Sequence, residues 1–196
     1  DSGINLLVTC DNGIAAMEEI TLAKKRGLKV IVIDHHEPAF TEDADGKKVD
    51  VLPPADAVID PKQTACTYPF SYFCAGGLAS QFSALFYKVQ QKPFLLEEEM
   101  LVFAAIATIC DIVDLVDENR ILAKEGLKRI ETVENIGLKA LIFATGLGGK
   151  QINEHHVGFV LGPSINATGR LESARKAIQL FTTEDKEEAY RFACEL

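Results

Sequence analysis

The sequence predicts an α/β fold in which a parallel sheet flanked by helices is followed by a mostly helical C-terminal half. Residues 30–33 are four consecutive β-branched residues, which is typical of a strand buried on both faces of a parallel sheet. A strand, a helix and this second strand follow one another between residues 5 and 33, and a βαβ order makes the two strands parallel. From residue 119 onward the pattern is mostly helical, which indicates the second half.

The βαβ unit is predicted in detail by its charges and turn residues. A strand over 5–10 leads into the turn Asp11-Asn12-Gly13, and a helix is expected over 14–26. Acidic residues lie early in this helix and basic residues late, which complements the helix dipole. Gly27 is placed to end the helix.

Downstream of the second strand, the elements become shorter and then helical. The polar stretch 41–48 predicts an exposed loop or a small excursion, residues 57–59 predict a third short strand, and residues 62–73 are expected to be irregular. Helices are predicted over 75–88, 95–109 and 119–132. The middle helix is apolar on most sides after three glutamates, which predicts a buried helix packed against the sheet.

Bulk composition limits the classes of function. A net charge of −9 excludes a protein that coats nucleic acid through positive charge alone. Bound divalent cations can nevertheless make the electrostatic potential positive at a local site. No apolar run approaches the length of a transmembrane helix. Five cysteines without a CxxC pair indicate reduced thiols and therefore a cytoplasmic protein.

Acidic residues recur in one setting, the carboxyl end of an apolar element. Asp11 follows the first strand, Asp34 and His35 follow the second, and Asp111 follows the run 101–110. Because the carboxyl ends of adjacent parallel strands meet at one edge of the sheet, we expect the first three side chains to converge. Oxygen ligands with one imidazole suit Mn²⁺ or Mg²⁺ better than Zn²⁺, so the pattern predicts such a metal site.

Each acid has a structural alternative when it is considered alone. Asp11 could cap the following helix, Asp111 could cap a turn, and Asp34 could orient an imidazole without touching a metal. The adjacent pair His35-His36 makes the metal site the favoured interpretation of the set. A second pair, His155-His156, follows no apolar strand, and a helix-surface role is expected for it.

Five segments spread over the chain form a recognisable set. They are Asp11-Asn12-Gly13, Asp34-His35-His36, Cys74-Ala75-Gly76-Gly77, residues 107–115 with 118–120, and residues 162–171. Together they resemble the successive motifs of the DHH phosphoesterase superfamily, and the finer similarity is to its RecJ-type single-strand-specific exonucleases. The resemblance covers nearly the whole chain and implies a DHH phosphoesterase-like fold.

The resemblance also implies a role for each motif residue. The family site holds two divalent ions, Mn²⁺ or Mg²⁺, which together activate a water nucleophile and neutralise the charge of the phosphorane. Asp11 would bridge the two ions, and His35 and Asp111 would complete the ligands of one of them. Asp34 would fix the tautomer of the imidazole. His36 would face the phosphate, polarising it or stabilising the leaving oxygen.

The sequence departs from the family at its start. The family's first motif, an Asp-x-Asp followed by glycine on the preceding strand, is absent upstream of Asp11, and its acids supply ligands to the other ion. We therefore expect residues 1–196 to form a partial DHH catalytic domain, with an α/β part over 1–118 and a helical part over 119–196 leading toward a missing C-terminal domain. The chain alone is expected to be inactive or severely impaired.

Asn166 and Arg170 are the candidates for holding a nucleic-acid phosphate. The planar fork of arginine can donate two hydrogen bonds to one phosphate. The residues alone favour equally an alternative in which Asn166 and Gly169 shape a turn and Arg170 pairs with an acid such as Glu172. The resemblance favours the phosphate-binding role.

The implied function is metal-dependent phosphodiester hydrolysis by a 5′→3′ exonuclease that acts on single-stranded DNA in repair and recombination. Candidate partners are single-stranded DNA and replication or repair proteins, with no membrane partner. Two alternatives stay open. One is a DHH phosphodiesterase for short oligoribonucleotides or cyclic dinucleotides, and the other is a catalytically silent DHH fold that serves as an interaction module.

Overall fold

The computed structural model describes residues 3–166 and 171–196, and its five strands all precede residue 60. In chain order the first elements are β1 (Leu6–Cys10), α1 (Met17–Lys25), β2 (Lys29–Ile33), β3 (Ala39–Glu42), β4 (Lys48–Val51) and β5 (Ala57–Ile59). The helical part comprises α2 (Ala75–Val89), α3 (Glu97–Cys110), α4 (Asp117–Arg129), α5 (Ile136–Ala144), α6 (Glu154–His156), a π-helical segment (Val157–Leu161), α7 (Gly162–Asn166), α8 (Leu171–Thr182) and α9 (Lys186–Glu195).

The main sheet is parallel, with the strand order β1-β2-β5. Cys10 on β1 is in register with Ile33 on β2, which is in register with Ile59 on β5. Val30 and Val32 of the central strand are fully buried, as their β-branched run predicts. The predicted α/β class, with a parallel sheet flanked by helices, is confirmed.

The polar stretch after β2 forms a small excursion that is an ordered hairpin. β3 and β4 pair antiparallel, separately from the main sheet. The Asp43 carboxylate accepts hydrogen bonds from the backbone N–H groups of Asp45 and Lys47 at 3.0 and 2.9 Å, which stabilises the turn. The sequence pattern missed these strands because they are short and largely exposed.

Helix α1 begins at Met17, three residues later than the predicted start at Ile14. The backbone N–H of Ile14 instead donates to the carboxylate of Asp34 at 2.9 Å. The turn between β1 and α1 is therefore held by an acid at the end of the neighbouring strand, and not by the helix.

The expectation that the apolar helix 95–109 packs against the sheet is wrong in its main contacts. Helix α3 packs mostly against α2 and α4, and α2 is the helix that contacts β1 and β2. Close approach of α3 and α4 is possible because Gly126 of α4 faces Ala105 and the carbonyl of Leu101. Small residues at the crossing allow α3 to be buried between helices.

Two further packing features bear on the site. The aromatic segment before α2 contributes Phe70 and Phe73 to a core that includes Ile33 of β2, whereas Tyr72 is exposed. Asn119 of α4 is fully buried and donates to the carbonyls of Tyr72 and Asp114, at 2.6 and 3.0 Å. Within residues 3–166 and 171–196, no helix has the length and apolar character needed to cross a membrane.

Candidate metal centre

Acidic residues and histidines meet where β1 and β2 end. The backbone N–H of Asp11 donates to the carbonyl of Ile33 at 3.0 Å, which keeps the end of β1 alongside the end of β2. The register that pairs Cys10 with Ile33 therefore sets Asp11 beside Asp34. The convergence expected from the βαβ unit is the observed arrangement.

Three elements contribute donor atoms to one point. The Nε2 atom of His35 lies 3.1 Å from Oδ1 of Asp11 and 3.5 Å from Oδ2 of Asp111, the residue that ends α3. His36 joins Asp11 and His35 in a group whose ligand atoms all lie within 4.8 Å of one another. Neighbouring donors at about 2.1 Å from an octahedral ion are about 3 Å apart, so these residues fit an ion such as Mg²⁺ or Mn²⁺.

The end of α3 adds negative potential to this point. The carbonyl end of a helix carries a partial negative charge, and the last turn of α3 contains no basic residue to offset it. Asp111 adds its carboxylate at the same place. A divalent cation would relieve this accumulation of negative charge, which is a physical reason for a metal here.

Two non-glycine residues at the site have a left-handed backbone. Asp11 has a φ of 61° and Ile112, directly after Asp111, has a φ of 58°. Aspartate tolerates this region, but for a β-branched residue it is a true outlier. Such strain is retained where the surrounding structure demands it. Here one left-handed residue is itself a proposed metal ligand, Asp11, and the other directly follows a second proposed ligand, Asp111.

Asp34 organises the polypeptide around it. It is 1% exposed and accepts hydrogen bonds from the N–H of Ile14 at 2.9 Å, the N–H of His35 at 2.8 Å and Nδ1 of His36 at 2.7 Å. Burial by itself would raise the pKa of Asp34, but these hydrogen bonds outweigh it and the pKa is lowered. The ring that contacts the Asp34 carboxylate is that of His36.

His36 is oriented by this contact, which also favours the protonated form of its ring. The hydrogen bond with Asp34 raises the pKa of His36, against a smaller opposing effect of burial. Because Nδ1 is engaged by Asp34, Nε2 is the nitrogen that can reach a ligand, and the side chain is 60% exposed. The arrangement suits a cationic hydrogen-bond donor directed out of the site.

Asp60, a residue that sequence reasoning did not single out, extends this acidic edge. It follows β5 as Asp34 follows β2, and it is buried. Oδ1 accepts the N–H of Lys62 at 2.8 Å, whereas Oδ2 is buried without a partner among the residues the structure describes. The same rule that identified the other acids, a carboxylate at the end of an apolar strand, could have found it.

An open cavity of about 980 Å³ leads away from Asp11 and Asp111. Small residues of α2 and α3, among them Gly76 and Ala107, line it next to the acids, and Asn166 lines it at the end of α7. The structure therefore brings Asn166 to the cavity that contains the proposed metal ligands. Arg170 lies outside the described residues.

The second histidine pair is separate from this cluster. His156 belongs to α6, where its backbone N–H donates to the Asn153 side chain, and the His155 ring stacks on Phe159 with centroids 4.8 Å apart. These contacts agree with the expected helix-surface role.

The chain is similar in sequence to known proteins. Residues 4–108 match the family described as DHH family, N-terminal domain. The single-stranded-DNA-specific exonuclease RecJ of Bacillus subtilis (strain 168) is 41% identical over 197 residues, which cover 100% of this chain and 23% of that protein. RecJ of Escherichia coli (strain K12) is 31% identical over 209 residues, covering 99% of this chain and 34% of that protein.

Solved structures show the same fold. The crystal structure of RecJ from Thermus thermophilus in complex with Mn²⁺ superposes with a TM-score of 0.79 at 31% identity, covering 97% of this chain and 27% of that one. A second crystal structure, of exonuclease RecJ bound to manganese, gives a TM-score of 0.80 at 32% identity, covering 97% of this chain and 45% of that one. The similarity inferred from the sequence motifs is confirmed. The chain spans 23% and 34% of the length of the two curated relatives described.

Proposed function

The chain belongs to the DHH family, and from this membership and the geometry of the metal centre we propose that it is part of the catalytic core of a metal-dependent exonuclease that acts on single-stranded DNA. The observation that carries the proposal is the meeting of Asp11, His35 and Asp111 at one point from three separate elements. The relatives of this chain, which are single-stranded-DNA-specific exonucleases by name, support the substrate class.

The metal would be Mn²⁺ or Mg²⁺, held by carboxylate oxygens of Asp11 and Asp111 and by Nε2 of His35. Two carboxylates and one imidazole form a mostly oxygen donor set, which suits these ions better than a thiophilic one. When bound, the metal supplies Lewis-acid charge and an acidified water for attack on a phosphodiester.

His36 and Asp34 act on the substrate side of this centre. Asp34 stays ionised through its hydrogen bonds and holds the ring of His36 by Nδ1. The protonated Nε2 of His36 would then donate to a phosphate oxygen, and so either polarise the phosphodiester or stabilise the oxygen that leaves. Asp34 thus positions the group that contacts substrate.

The cavity beside the metal centre is the proposed path of the nucleic acid. Asn166 lines it and would donate to a backbone phosphate, with Arg170 as its partner in the same motif. We propose 5′→3′ digestion in DNA repair and recombination, following the family. We also propose a cytoplasmic location, since an odd number of cysteines without a CxxC pair suits a reducing compartment, and replication or repair proteins as partners.

The chain alone is proposed to hydrolyse DNA slowly or not at all. Within the described ranges, the centre offers one set of protein donors around His35, and the acids of the family's first motif do not occur in this sequence. Steady release of nucleotides by the purified 196-residue chain in Mn²⁺ would contradict this part of the proposal.

Metal binding is tested by calorimetric titration of the purified chain with Mn²⁺. His35→Ala removes one of the three proposed protein ligands, so we expect it to weaken Mn²⁺ binding by at least about tenfold. His155→Ala, the same change away from the site, should leave binding unaltered. If the unmodified chain fails to bind at millimolar Mn²⁺, the enzyme proposal fails and the interaction-module alternative is favoured.

Substrate class is tested by fluorescence anisotropy with Mn²⁺ present. A labelled single-stranded oligodeoxynucleotide should bind at least about tenfold more tightly than the duplex of the same sequence, since only unpaired bases can stack and splay in the cavity. Competition by a cyclic dinucleotide or a short oligoribonucleotide that exceeds competition by single-stranded DNA would overturn the DNA assignment in favour of a DHH phosphodiesterase.

A further inference from the structure

We propose that the cavity beside the metal centre is a nucleobase pocket, in which Phe103 of α3 and Ile178 of α8 contact the base of the nucleotide whose phosphate lies at the metal. This inference rests on the proposed function and deepens it, because it names the part of the substrate that the chain recognises. It also gives a physical reason for a preference for single strands, since a base in a duplex must first be unpaired and unstacked before it can enter a pocket.

One face of α3 forms a wall of this cavity. Met100, Phe103 and Ala107 line it and lie three or four residues apart, so their side chains share a face of the helix. Asp111, four residues after Ala107, lines the cavity where the helix ends. At a rise of about 1.5 Å per residue, Phe103 lies about 12 Å from Asp111 along the helix axis. The wall therefore leads from an acid of the metal centre, past a small side chain, to an aromatic ring.

The chemistry of the cavity changes along this wall. Of the described residues that line it, the only ones with a charged or amide side chain are Asp11, Asp111 and Asn166. The lining around Phe103, which includes Met100, is apolar. A phosphate is charged and strongly hydrated, so it belongs at the end that can hold the metal, whereas the flat, uncharged faces of a base suit the apolar remainder. The volume of about 980 Å³ lies at the upper end of the range of about 300–1,000 Å³ that is typical of small-molecule pockets.

Helix α8 forms a second wall close to Phe103. Ala174, Ala177 and Ile178 line the cavity from one face of this helix. Phe181, one turn after Ile178, contacts Phe103 with ring centroids 5.1 Å apart and an angle of 70° between the rings, so neither ring lies flat on the other. Ile178 is 63% exposed although it is large and apolar. A base between these walls would remove that apolar surface from water.

An aromatic ring with aliphatic neighbours recognises a base by its face and not by its edge. Stacking of this kind tolerates any sequence because every base has a π-face. The pocket therefore detects that a base is present and unpaired, and it does not select among the four bases. The names of the relatives likewise specify single-stranded DNA without specifying a sequence.

The first test applies saturation-transfer difference NMR to the unmodified chain with deoxyadenosine 5′-monophosphate and Mg²⁺. Mg²⁺ is used because Mn²⁺ is paramagnetic and would broaden the signals. We expect more saturation transfer to the adenine protons than to the sugar protons, since the base is the part that the apolar side chains enclose. Transfer confined to the sugar protons, or no transfer at millimolar nucleotide, would overturn the inference without recourse to any variant.

A fluorescent variant then locates the base. Phe103→Trp gives the chain its only tryptophan, since the sequence contains none. The nucleotide should quench this indole saturably by stacking on it, and deoxyribose 5-phosphate, which lacks the base, should leave it unchanged. The matched control is Phe143→Trp, because Phe143 is an exposed aromatic residue of α5 that does not line the cavity. Equal saturable quenching in the two variants, or quenching at position 103 by deoxyribose 5-phosphate, would contradict a base at Phe103.

A third test narrows the pocket without crowding the core. Ala174 lines the cavity and is exposed, so Ala174→Leu adds volume on the cavity side of α8. We expect it to weaken nucleotide binding by at least about fivefold, which is the lower end of the effect of losing one stacked base. Ala144→Leu, the same change at an exposed position of α5, should leave binding unaltered. Unchanged or tighter nucleotide binding by Ala174→Leu would contradict a base in this cavity.

The outcomes separate this inference from the proposed function. A chain that binds no Mn²⁺ in the calorimetric titration, yet transfers saturation selectively to adenine, would refute the metal centre and leave the pocket standing. A chain that binds Mn²⁺ and single-stranded DNA, yet transfers no saturation to adenine, would refute the pocket alone.

Discussion

Substitution of Gly76 by alanine should force α2 away from α3 beside the metal centre. A Cβ at position 76 would lie 2.5 Å from the Cβ of Ala107, and the next atoms, Sγ of Cys74 and Cα of Ala107, lie at 3.8 and 4.0 Å. Carbon atoms in contact are about 3.5–4.0 Å apart, so the helices must separate by about 1 Å or more. Overpacking of this kind costs about 1–3 kcal/mol of the free energy of unfolding.

The clash involves a single methyl group, which makes the reasoning testable in a double-mutant cycle. Ala107→Gly alone should cost about 1 kcal/mol through helix propensity. Combined with Gly76→Ala, it removes the opposing methyl group, so the double variant should be no less stable than Ala107→Gly, with a coupling energy of about 1–3 kcal/mol.

The assay is urea unfolding followed by circular dichroism, analysed by linear extrapolation. Gly158→Ala is the control, because its Cβ would meet only Cγ2 of Ile109 at an ordinary 3.7 Å, and stability should change little. A Gly76→Ala variant as stable as the unmodified chain, or effects that add within about 0.5 kcal/mol, would refute the packing argument.

Three other predictions follow from contacts elsewhere in the fold. Asn119→Ala should cost about 2–4 kcal/mol in the same unfolding assay, because it leaves two loop carbonyls without their donor, and a loss below about 1 kcal/mol would contradict this. Gly13→Ala should lower the free energy of unfolding by at least about 2 kcal/mol and weaken Mn²⁺ binding. The reason is that φ at this residue is +123° and an added Cβ would lie 2.6 Å from Oγ1 of Thr9. Unchanged stability and Mn²⁺ affinity would show this reasoning to be wrong. The side chains of Lys128 and Arg129 lower the pKa of Glu125 from 4.5 to about 2. The ion pairs therefore stabilise the fold fully above about pH 4.5, and this stabilisation is lost as the pH falls toward 2. A titration of the Glu125 carboxyl by NMR with a midpoint near 4.5 would show the ion pairs to be absent.

Much of the candidate site could be predicted from the sequence because its signal is local. Asp11 and Asp34-His35-His36 each follow an apolar strand, and strand order then predicts their convergence without any knowledge of packing. Asp111 ends a helix, so its approach to His35 depended on how α3 packs, which the pattern of apolar residues does not specify. Asp60 was missed because β5 is only three residues long and its acid precedes a proline, a combination that also describes an ordinary turn.

By itself the sequence determined the α/β class, the parallel pairing of β1 with β2 and the acids at their ends, since side-chain periodicity and chain direction decide these locally. Only the tertiary structure decided that α3 packs between α2 and α4, that Asp34 contacts the ring of His36, and that Oδ2 of Asp60 is buried without a described donor. The contact of Asp34 with His36, which are two residues apart, depends on the rotamers of the two side chains. The packing of α3 depends on distances between residues far apart in the chain. Such distances are set by how small residues such as Gly76 and Gly126 let helices approach, and no local pattern encodes them.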